Sequence, residues 1–245
     1  MSEKAPVISV IYGRLGNCLS EIACGYSYAV EHDRPYKVFH GDHQPNDPAF
    51  LPLLGRFEMV DGLPENQILI TEENYGECDK DVEFPDDITI VFNGYFQEER
   101  FYNKEVVLKA FEIPDGLSEK IFEKYGDLSD YVSINVRRGD FVSIGIALDH
   151  DWYEDAYKKY FDGQKVFICS DDINWCKENI KIDGAVFAEG NTPIEDLYSA
   201  SFCKNHIVYN GSFGWWAAYL GQHEGTTTVI SKGWFKNLPE GWIEF

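Results

Sequence analysis

The chain has 245 residues, and its 42 acidic residues outnumber its 21 lysines and arginines, which gives a formal net charge of −21. This excess of acid argues against a nucleic-acid partner and against docking to an anionic membrane, because both need a dense basic surface. Hydrophobic residues make up 44% and aromatic residues 16% of the chain, which is enough for a packed core.

The lack of targeting signals in the sequence and the pattern of its cysteines bear on the cellular location of the protein. No apolar run reaches the roughly 18 residues that a membrane span needs, and the N-terminal residues lack the pattern of a signal peptide. The cysteines are scattered without a CxxC pair, which favours free buried thiols in a reducing compartment. We therefore expect no membrane span and a cytoplasmic location. The six cysteines are Cys18, Cys24, Cys78, Cys169, Cys176 and Cys203.

The first half of the chain opens as an α/β unit. A β-branched run at 7–12 predicts a buried strand, and a glycine turn at 13–17 ends it. Apolar residues spaced by three and four then predict a helix to about residue 30. From about 40 to 87 no helical or strand periodicity of apolar residues is found, so only loops and brief elements are expected. A strand follows at 88–92, and helical stretches run from about 98 to 125 with a break at Pro114.

The second half alternates strands and helices more regularly. Strands are predicted at 131–136, 165–169, 186–187, 205–209 and 226–230, and helices at 152–161, 172–179, 193–203 and 212–221. This alternation predicts a mainly parallel sheet flanked by helices. We place a domain boundary near 126–130, which gives two Rossmann-like domains at 1–128 and 129–245. In such sheets, ligands bind at the carboxyl ends of the strands.

An arginine pair follows the predicted strand at 131–136, in the sequence NVRRGD. Guanidinium groups bind phosphate through paired hydrogen bonds, and their charge does not titrate away. Arg137 and Arg138 are therefore candidates for holding a diphosphate and for stabilising it as it departs. A surface ion pair with Asp140 is the alternative, and Asp140 is itself a candidate either for proton transfer or for orienting an arginine.

Two aspartates follow the next strand. Asp171 and Asp172 are placed to accept hydrogen bonds from guanine or from ribose hydroxyls. A metal site is disfavoured, because no complementary histidine and carboxylate cluster has the spacing of a ligand set. The structural alternative is that one of them, or Ser170, caps the helix that follows.

Two glycine-containing turns open helices. The sequence NGSFGWW at 210–216 offers backbone amides and a helix dipole to an anion, so this loop is a candidate anion-binding segment. Trp215 and Trp216 are alternatively core residues. The turn at 13–17 is a weaker signal, and it matches neither the GxGxxG nor the P-loop pattern.

Together these segments resemble the family-11 glycosyltransferases, the α-1,2-fucosyltransferases. The resemblance runs from about residue 7 to residue 234. It rests on GRLGNC at 13–18 beside GGLGNQ, NGYFQ at 93–97 beside a GYWQ-like segment, SINVRRGDFV at 133–142 beside SVHIRRGDYV, ICSDDINWCKEN at 168–179 beside FSDDIEWCKEN, and DLY at 196–198 with SFGWWAAYL at 212–220 beside DLY and SFSWWGAYL.

The resemblance implies a GT-B-like fold, in which two Rossmann-like domains face each other across a cleft. It implies GDP-β-L-fucose as the donor, a glycan acceptor with a galactose-like unit, inversion at the anomeric carbon and no obligatory metal or other cofactor. By position, Arg137 and Arg138 would hold the diphosphate. The residues implied around the rest of the donor are Gly13, Arg14, Gly16, Asn17, Asn135, Asp171, Asp172, Ser212 and Phe213.

The sequence departs from the family pattern at Asn135, where the family has histidine, at Gly214, where it has serine, and at Arg14 and Cys18, where GGLGNQ has become GRLGNC. These departures keep two alternatives open: a transferase that uses another nucleotide-sugar or acceptor, and an inactive homologue that binds GDP or glycan. The general base is also open among Asp140, His43, Asp149, His150 and Asp151.

Overall fold

The structure is a computed structural model that describes residues 4–41, 48–77 and 83–245; His43 and Cys78 lie outside these ranges. Its strands are β1 Val7–Ile11, β2 Tyr36–His40, β3 Glu58–Val60, β4 Gln67–Ile70, β5 Thr89–Phe92, β6 Tyr131–Val136, β7 Lys165–Ser170, β8 Val186–Phe187, β9 Asn205–Val208, β10 Thr228–Ile230 and β11 Ile243–Glu244. Its α-helices are α1 Leu15–Glu31, α2 Leu51–Leu54, α3 Glu72–Glu77, α4 Lys104–Ala110, α5 Leu117–Tyr125, α6 Gly139–Ser143, α7 His150–Tyr160, α8 Ile173–Asn179, α9 Pro193–Ser201 and α10 Ser212–Leu220.

The chain divides into two compact units, Met1–Glu112 and Ile113–Phe245. The first unit is built on a parallel sheet with the strand order β3-β2-β1-β5-β4. Its central strand β1 is buried at every position, as the run of β-branched residues predicts. Helix α1 packs along β1 with an almost wholly buried sequence, so this helix is a core element rather than a surface one.

The second unit is built on a parallel sheet with the strand order β11-β10-β9-β6-β7-β8. Its main core lies around β6, β7 and β9. Helix α5 belongs to this unit, although the boundary predicted at 128/129 assigned it to the first. Lys120 on α5 forms an ion pair with Glu195 on α9, and the Tyr125 ring meets Phe167 on β7 at a centroid distance of 4.9 Å. These contacts move the division between the units back to Glu112.

The register of the second sheet decides which residues share its carboxyl edge. Val136 pairs with Ser170 on β7, and Asn135 pairs with Val208 on β9. The ends of β9, β6 and β7 are therefore neighbours, and the three polar segments predicted after these strands emerge side by side. The α/β architecture with parallel sheets is confirmed.

Two smaller predictions can also be compared with the structure. Five of the six cysteines lie in the described residues, and all five are buried and free: Cys18, Cys24, Cys169, Cys176 and Cys203. Within the described ranges, no helix combines the length and the apolar character that crossing a bilayer requires.

Candidate active site

Arg137 stands at the end of β6 between two carboxylates. It forms ion pairs with Asp140, three residues ahead on α6, and with Asp171, which follows β7. The second oxygen of Asp171 accepts a hydrogen bond from the Arg138 backbone N–H at 2.8 Å. Because both terminal guanidinium nitrogens of Arg137, Nη1 and Nη2, and both oxygens of Asp171 are engaged, the plane of the Arg137 guanidinium is fixed. The ion pair between Asp140 and Arg137 is one that the sequence analysis had considered.

Arg138 is held by an aromatic ring and a backbone carbonyl rather than by a carboxylate. Its guanidinium carbon lies 3.8 Å from the centre of the Trp175 ring, and its Nη1 donates to the Leu148 carbonyl at 3.1 Å. Among the described residues, no carboxylate forms an ion pair with Arg138, and its buried Nε has no hydrogen-bond partner. A guanidinium stacked on tryptophan keeps its positive charge and is only weakly hydrated. Arg138 therefore carries the less neutralised charge of the pair.

The two aspartates after β7 have different partners. Asp172 caps α8, because its Oδ1 accepts from the Trp175 backbone N–H at 3.1 Å, and its own N–H donates to Ser170 Oγ at 2.9 Å. Asp171 instead orients the arginine segment. The helix cap that the sequence analysis allowed as an alternative thus falls on Asp172, and the reading of guanine by either aspartate stays a prediction.

Helix α10 begins beside the end of β6. Its N-cap is Gly211, and no side chain caps its first turn. A Cβ atom on Gly214 would lie 2.9 Å from the Cβ of Asn135 and 3.1 Å from Val208 Cγ1, so this glycine permits a close contact between helix and sheet. Asn135 is 6% exposed, and its Nδ2 has no hydrogen-bond partner. Two of the departures from the family pattern, Asn135 and Gly214, are therefore in contact with each other.

The aromatic residues of α10 are core residues. Trp215 and Trp216 are 1% and 0% exposed, and Trp215 stacks on Tyr219 at a centroid distance of 4.6 Å. The structural alternative for the tryptophans is thus correct for both. Ser212 and Phe213, the other candidates of this segment, are half-buried on the first turn. That turn presents backbone amides and the positive end of the helix dipole.

The four candidates of the turn at 13–17 lie in the first unit, at the end of β1. Gly13 has φ +77°, and a Cβ there would lie 2.8 Å from Asn17 Nδ2, so the turn requires glycine. Arg14 is exposed and Gly16 is buried. The Asn17 side chain accepts a hydrogen bond from Gln97 Nε2 at 2.9 Å. This contact joins two of the segments that carry the family resemblance.

Glu21 is a buried acid that the sequence analysis missed. It is 1% exposed on α1; its Oε2 accepts from the Tyr12 N–H at 2.9 Å, and its Oε1 has no partner. Burial raises the pKa of Glu21 to about 9, and burial together with Glu21 raises the pKa of Tyr12 to about 12. The available signal was an acidic residue within the otherwise apolar and small face of α1.

Three of the candidate bases form a chain at the start of α7. His150 Nδ1 lies 2.8 Å from Asp149 Oδ1, and His150 Nε2 lies 3.2 Å from Asp151 Oδ1. The Asp149 hydrogen bond raises the pKa of His150, and the same contact lowers the pKa of Asp149. The adjacent Leu148 carbonyl receives Arg138, so this chain lies next to the arginine pair. The remaining candidate, His43, lies outside the described residues.

The fold resembles those of several solved fucosyltransferases. The structure of the fucosyltransferase NodZ from Bradyrhizobium superposes with a TM-score of 0.59 at 15% identity, covering 89% of this chain and 92% of that one. A structure of POFUT1 in complex with GDP-fucose gives a TM-score of 0.53 at 12% identity, with 100% and 98% covered. The predicted GT-B-like fold class is thereby confirmed.

Sequence comparisons identify the family. An α-1,2-colitosyltransferase of Escherichia coli is 28% identical, over 97% of this chain and 98% of its own length. Rabbit (Oryctolagus cuniculus) galactoside α-(1,2)-fucosyltransferase 2 is 28% identical over 85% of this chain and 65% of its own length. The model of glycosyl transferase family 11 matches residues 70–238, which contain the arginine pair, both aspartates and α10. The chain is therefore a glycosyltransferase and belongs to glycosyltransferase family 11.

Proposed function

We propose that this enzyme transfers L-fucose from GDP-β-L-fucose to a hydroxyl of a glycan acceptor, the 2-OH of a galactoside, with inversion and without an obligatory metal. The observation that carries the proposal is the arginine pair at the carboxyl edge of the second sheet. Two guanidinium groups, fixed by Asp171 and Trp175 and neighboured by the N-terminus of α10, suit a nucleotide diphosphate. The solved structures of POFUT1 and NodZ with GDP-fucose support this donor.

In the proposed reaction, the acceptor oxygen forms a bond to the anomeric carbon while the bond to the β-phosphate oxygen breaks. The electron pair passes to that oxygen, and Arg137 and Arg138 stabilise the resulting charge. We assign the second unit to the donor and the first unit to the acceptor. Within the second unit, Ser212 and Phe213 border the phosphate and base, and Asp171 or Asp172 meets guanine.

Asp140 is assigned to orientation rather than to proton transfer. Its side chain is 61% exposed and already forms an ion pair with Arg137. An arriving diphosphate can displace this exposed carboxylate and take over the guanidinium. We assign the proton of the acceptor hydroxyl to the chain of Asp149, His150 and Asp151, which lies next to Arg138.

A second donor deserves a direct test because the α-1,2-colitosyltransferase of E. coli matches this chain over nearly its whole length. Transfer of a colitosyl group would use the same arginine pair, since the pair faces the diphosphate and not the sugar. The two departures at Asn135 and Gly214 lie beside that pair and are the residues that we expect to bear on the choice of sugar.

The test is a turnover assay with lactose as acceptor, in the presence of a chelator. The proposal predicts consumption of GDP-fucose, no consumption of GDP-mannose or UDP-galactose, and a trisaccharide whose NMR spectrum shows an α-1,2 link. Preferred use of a colitosyl donor would establish the second candidate. Binding of GDP without consumption of any donor, over a broad set of acceptors, would contradict catalysis by fucosyl transfer.

A further inference from the structure

The segment 93–97 follows β5 and holds one tyrosine out into solvent. Tyr95 is 50% exposed, whereas its neighbour Phe96 is fully buried. The Phe96 ring packs edge-on against Phe92 and Phe101, at centroid distances of 5.8 and 5.4 Å. Phe96, which fixes the segment in the core, and the exposed Tyr95 are therefore adjacent residues with opposite environments. The proposed donor site gives the sequence NGYFQ at 93–97 no role.

The backbone of this segment is strained and firmly held. Phe96 has φ +47°, a conformation that costs a bulky residue on the order of 1–3 kcal/mol. Glu72 Oε1 accepts from the Phe96 N–H at 2.7 Å, and Gln97 Nε2 donates to Asn17 Oδ1 at 2.9 Å. A strained residue that is fixed on both sides is typical of a functional position, because the fold stabilises a conformation that local preference opposes.

The exposed ring has a partner at the same edge of the sheet. Tyr95 meets Tyr12, which follows β1, at a centroid distance of 5.8 Å and an interplanar angle of 79°. Tyr12 lies over Gly41, where a Cβ would approach its ring to 2.7 Å. Two tyrosines from different strand ends and the Gln97 side chain thus share this edge, and we call Tyr12, Tyr95 and Gln97 the aromatic platform.

The charges near the platform select the kind of ligand. The Glu72 carboxylate, which accepts from the Phe96 N–H, lies close to the platform and brings negative charge there. Such a place disfavours a phosphate group. A neutral sugar ring fits better, since a pyranose has an apolar C–H face that packs on an aromatic ring and hydroxyls that bond to amides.

We propose that the aromatic platform binds the acceptor sugar, with the apolar face of a galactose unit on Tyr95 and its hydroxyls on Gln97. The identity of this sugar as the acceptor rests on the proposed function; the binding of a neutral sugar does not. Tyr95 is a substrate-binding residue in this assignment, and Glu72 and Phe96 are positioning residues that hold it.

The experiment compares wild type with Tyr95→Ala and Tyr95→Phe, and uses Phe122→Ala, which removes an exposed aromatic ring of the second unit, as the matched control. We expect Tyr95→Ala to raise the KM for lactose about tenfold and to leave the KM for GDP-fucose unchanged. Tyr95→Phe keeps the ring and should restore the wild-type value. Saturation-transfer NMR with lactose alone should lose its signal only in Tyr95→Ala.

The outcomes separate this proposal from the donor assignment. An unchanged lactose KM in Tyr95→Ala, a rise in the KM for GDP-fucose, or no NMR signal for lactose with wild type would each overturn the platform. If no fucose is transferred but the NMR signal depends on Tyr95, the donor assignment fails and the sugar platform stands. Thermal unfolding of each variant checks that the substitution at the half-exposed Tyr95 has not affected folding.

Discussion

The carboxyl edges of the two parallel sheets have opposite chemistry. The edge of the second sheet carries Arg137 and Arg138, each fixed by neighbours from adjacent strand ends. The edge of the first sheet carries a buried acid, Glu21, and two tyrosines in contact. Similar α/β frames thus present a cationic surface in one unit and, in the other, an aromatic surface above a buried carboxyl whose raised pKa keeps it protonated. The difference suits a charged donor on the second edge and a neutral sugar on the first.

The largest expected effect comes from removing the charge of the second edge. We expect Arg137→Ala to lower kcat/KM roughly 100- to 1,000-fold, about 3–4 kcal/mol of transition-state stabilisation, by analogy with an oxyanion donor. Steady-state kinetics on the variant measure it, and Lys204→Ala, an exposed lysine of the same unit, is the matched control. Near-normal transfer by Arg137→Ala would remove the arginine from the mechanism.

The buried acid of the first edge should make stability depend on pH. The pKa of Glu21 rises from 4.5 to about 9, so its folded form favours the proton, and the stability that it contributes is lost as pH rises across that interval. Glu21→Gln keeps an acceptor for the Tyr12 N–H and should gain about 2–3 kcal/mol over wild type at neutral pH.

Chemical denaturation at two pH values tests this assignment of Glu21. Near its ordinary pKa of 4.5, where most wild-type chains carry the proton in the folded state, the variant and wild type should be nearly equal. At a pH near 9 the gap should be largest. Parallel stability curves for the two proteins would show that the carboxyl is not protonated in the fold.

The contact between Gly214 and Asn135 is the next feature to change. A serine at 214 places its Cβ 2.9 Å from the Asn135 Cβ, so helix α10 must move away from β6. We expect Gly214→Ser to cost about 1–3 kcal/mol of unfolding free energy and to weaken GDP binding. Gly62→Ser is the control, since no atom lies within 4 Å of a Cβ at that position. If Gly214→Ser is as stable as wild type, the packing between Gly214 and Asn135 leaves room for a side chain, which contradicts the close contact described here.

The smallest effect is expected at Asp140. The Asp140 carboxylate is exposed, and in the proposed donor site it would compete with the diphosphate for Arg137. Asp140→Asn should therefore lower kcat/KM less than about tenfold and bind GDP at least as tightly as wild type. Kinetics and GDP titration of one variant give both values. A loss of kcat comparable to that of Arg137→Ala would identify Asp140 as the base.

Much of the second unit could be predicted from the sequence. Its strands at 131–136 and 165–170 are rich in apolar and β-branched residues, because parallel strands are buried on both faces. The pairing of Arg137 with Asp171 could not be predicted, since it depends on β6 and β7 being neighbours in register. A single sequence contains the strands but not their order in the sheet.

The first unit was less predictable. Strands β2 and β3 were not predicted, because their residues do not form a buried apolar run. Only Val38 of the five residues of β2, Tyr36–His40, is buried, and β3 is almost entirely exposed. In the second unit, helix α6 also could not be predicted, because it begins at a glycine, which normally signals a turn. The position of Tyr95 also could not be foreseen, because it follows from the left-handed conformation of Phe96, a choice that tertiary packing imposes against local preference.

The most direct test of the account is calorimetric titration of wild type and Arg137→Ala with GDP, GDP-fucose, GDP-mannose and UDP-galactose in the presence of a chelator. The account predicts that wild type binds GDP and GDP-fucose without metal and does not bind UDP-galactose, and that the variant loses most of this affinity. If folded wild type binds no guanine nucleotide, or if the variant binds it equally well, the assignment of the second edge to the donor is contradicted.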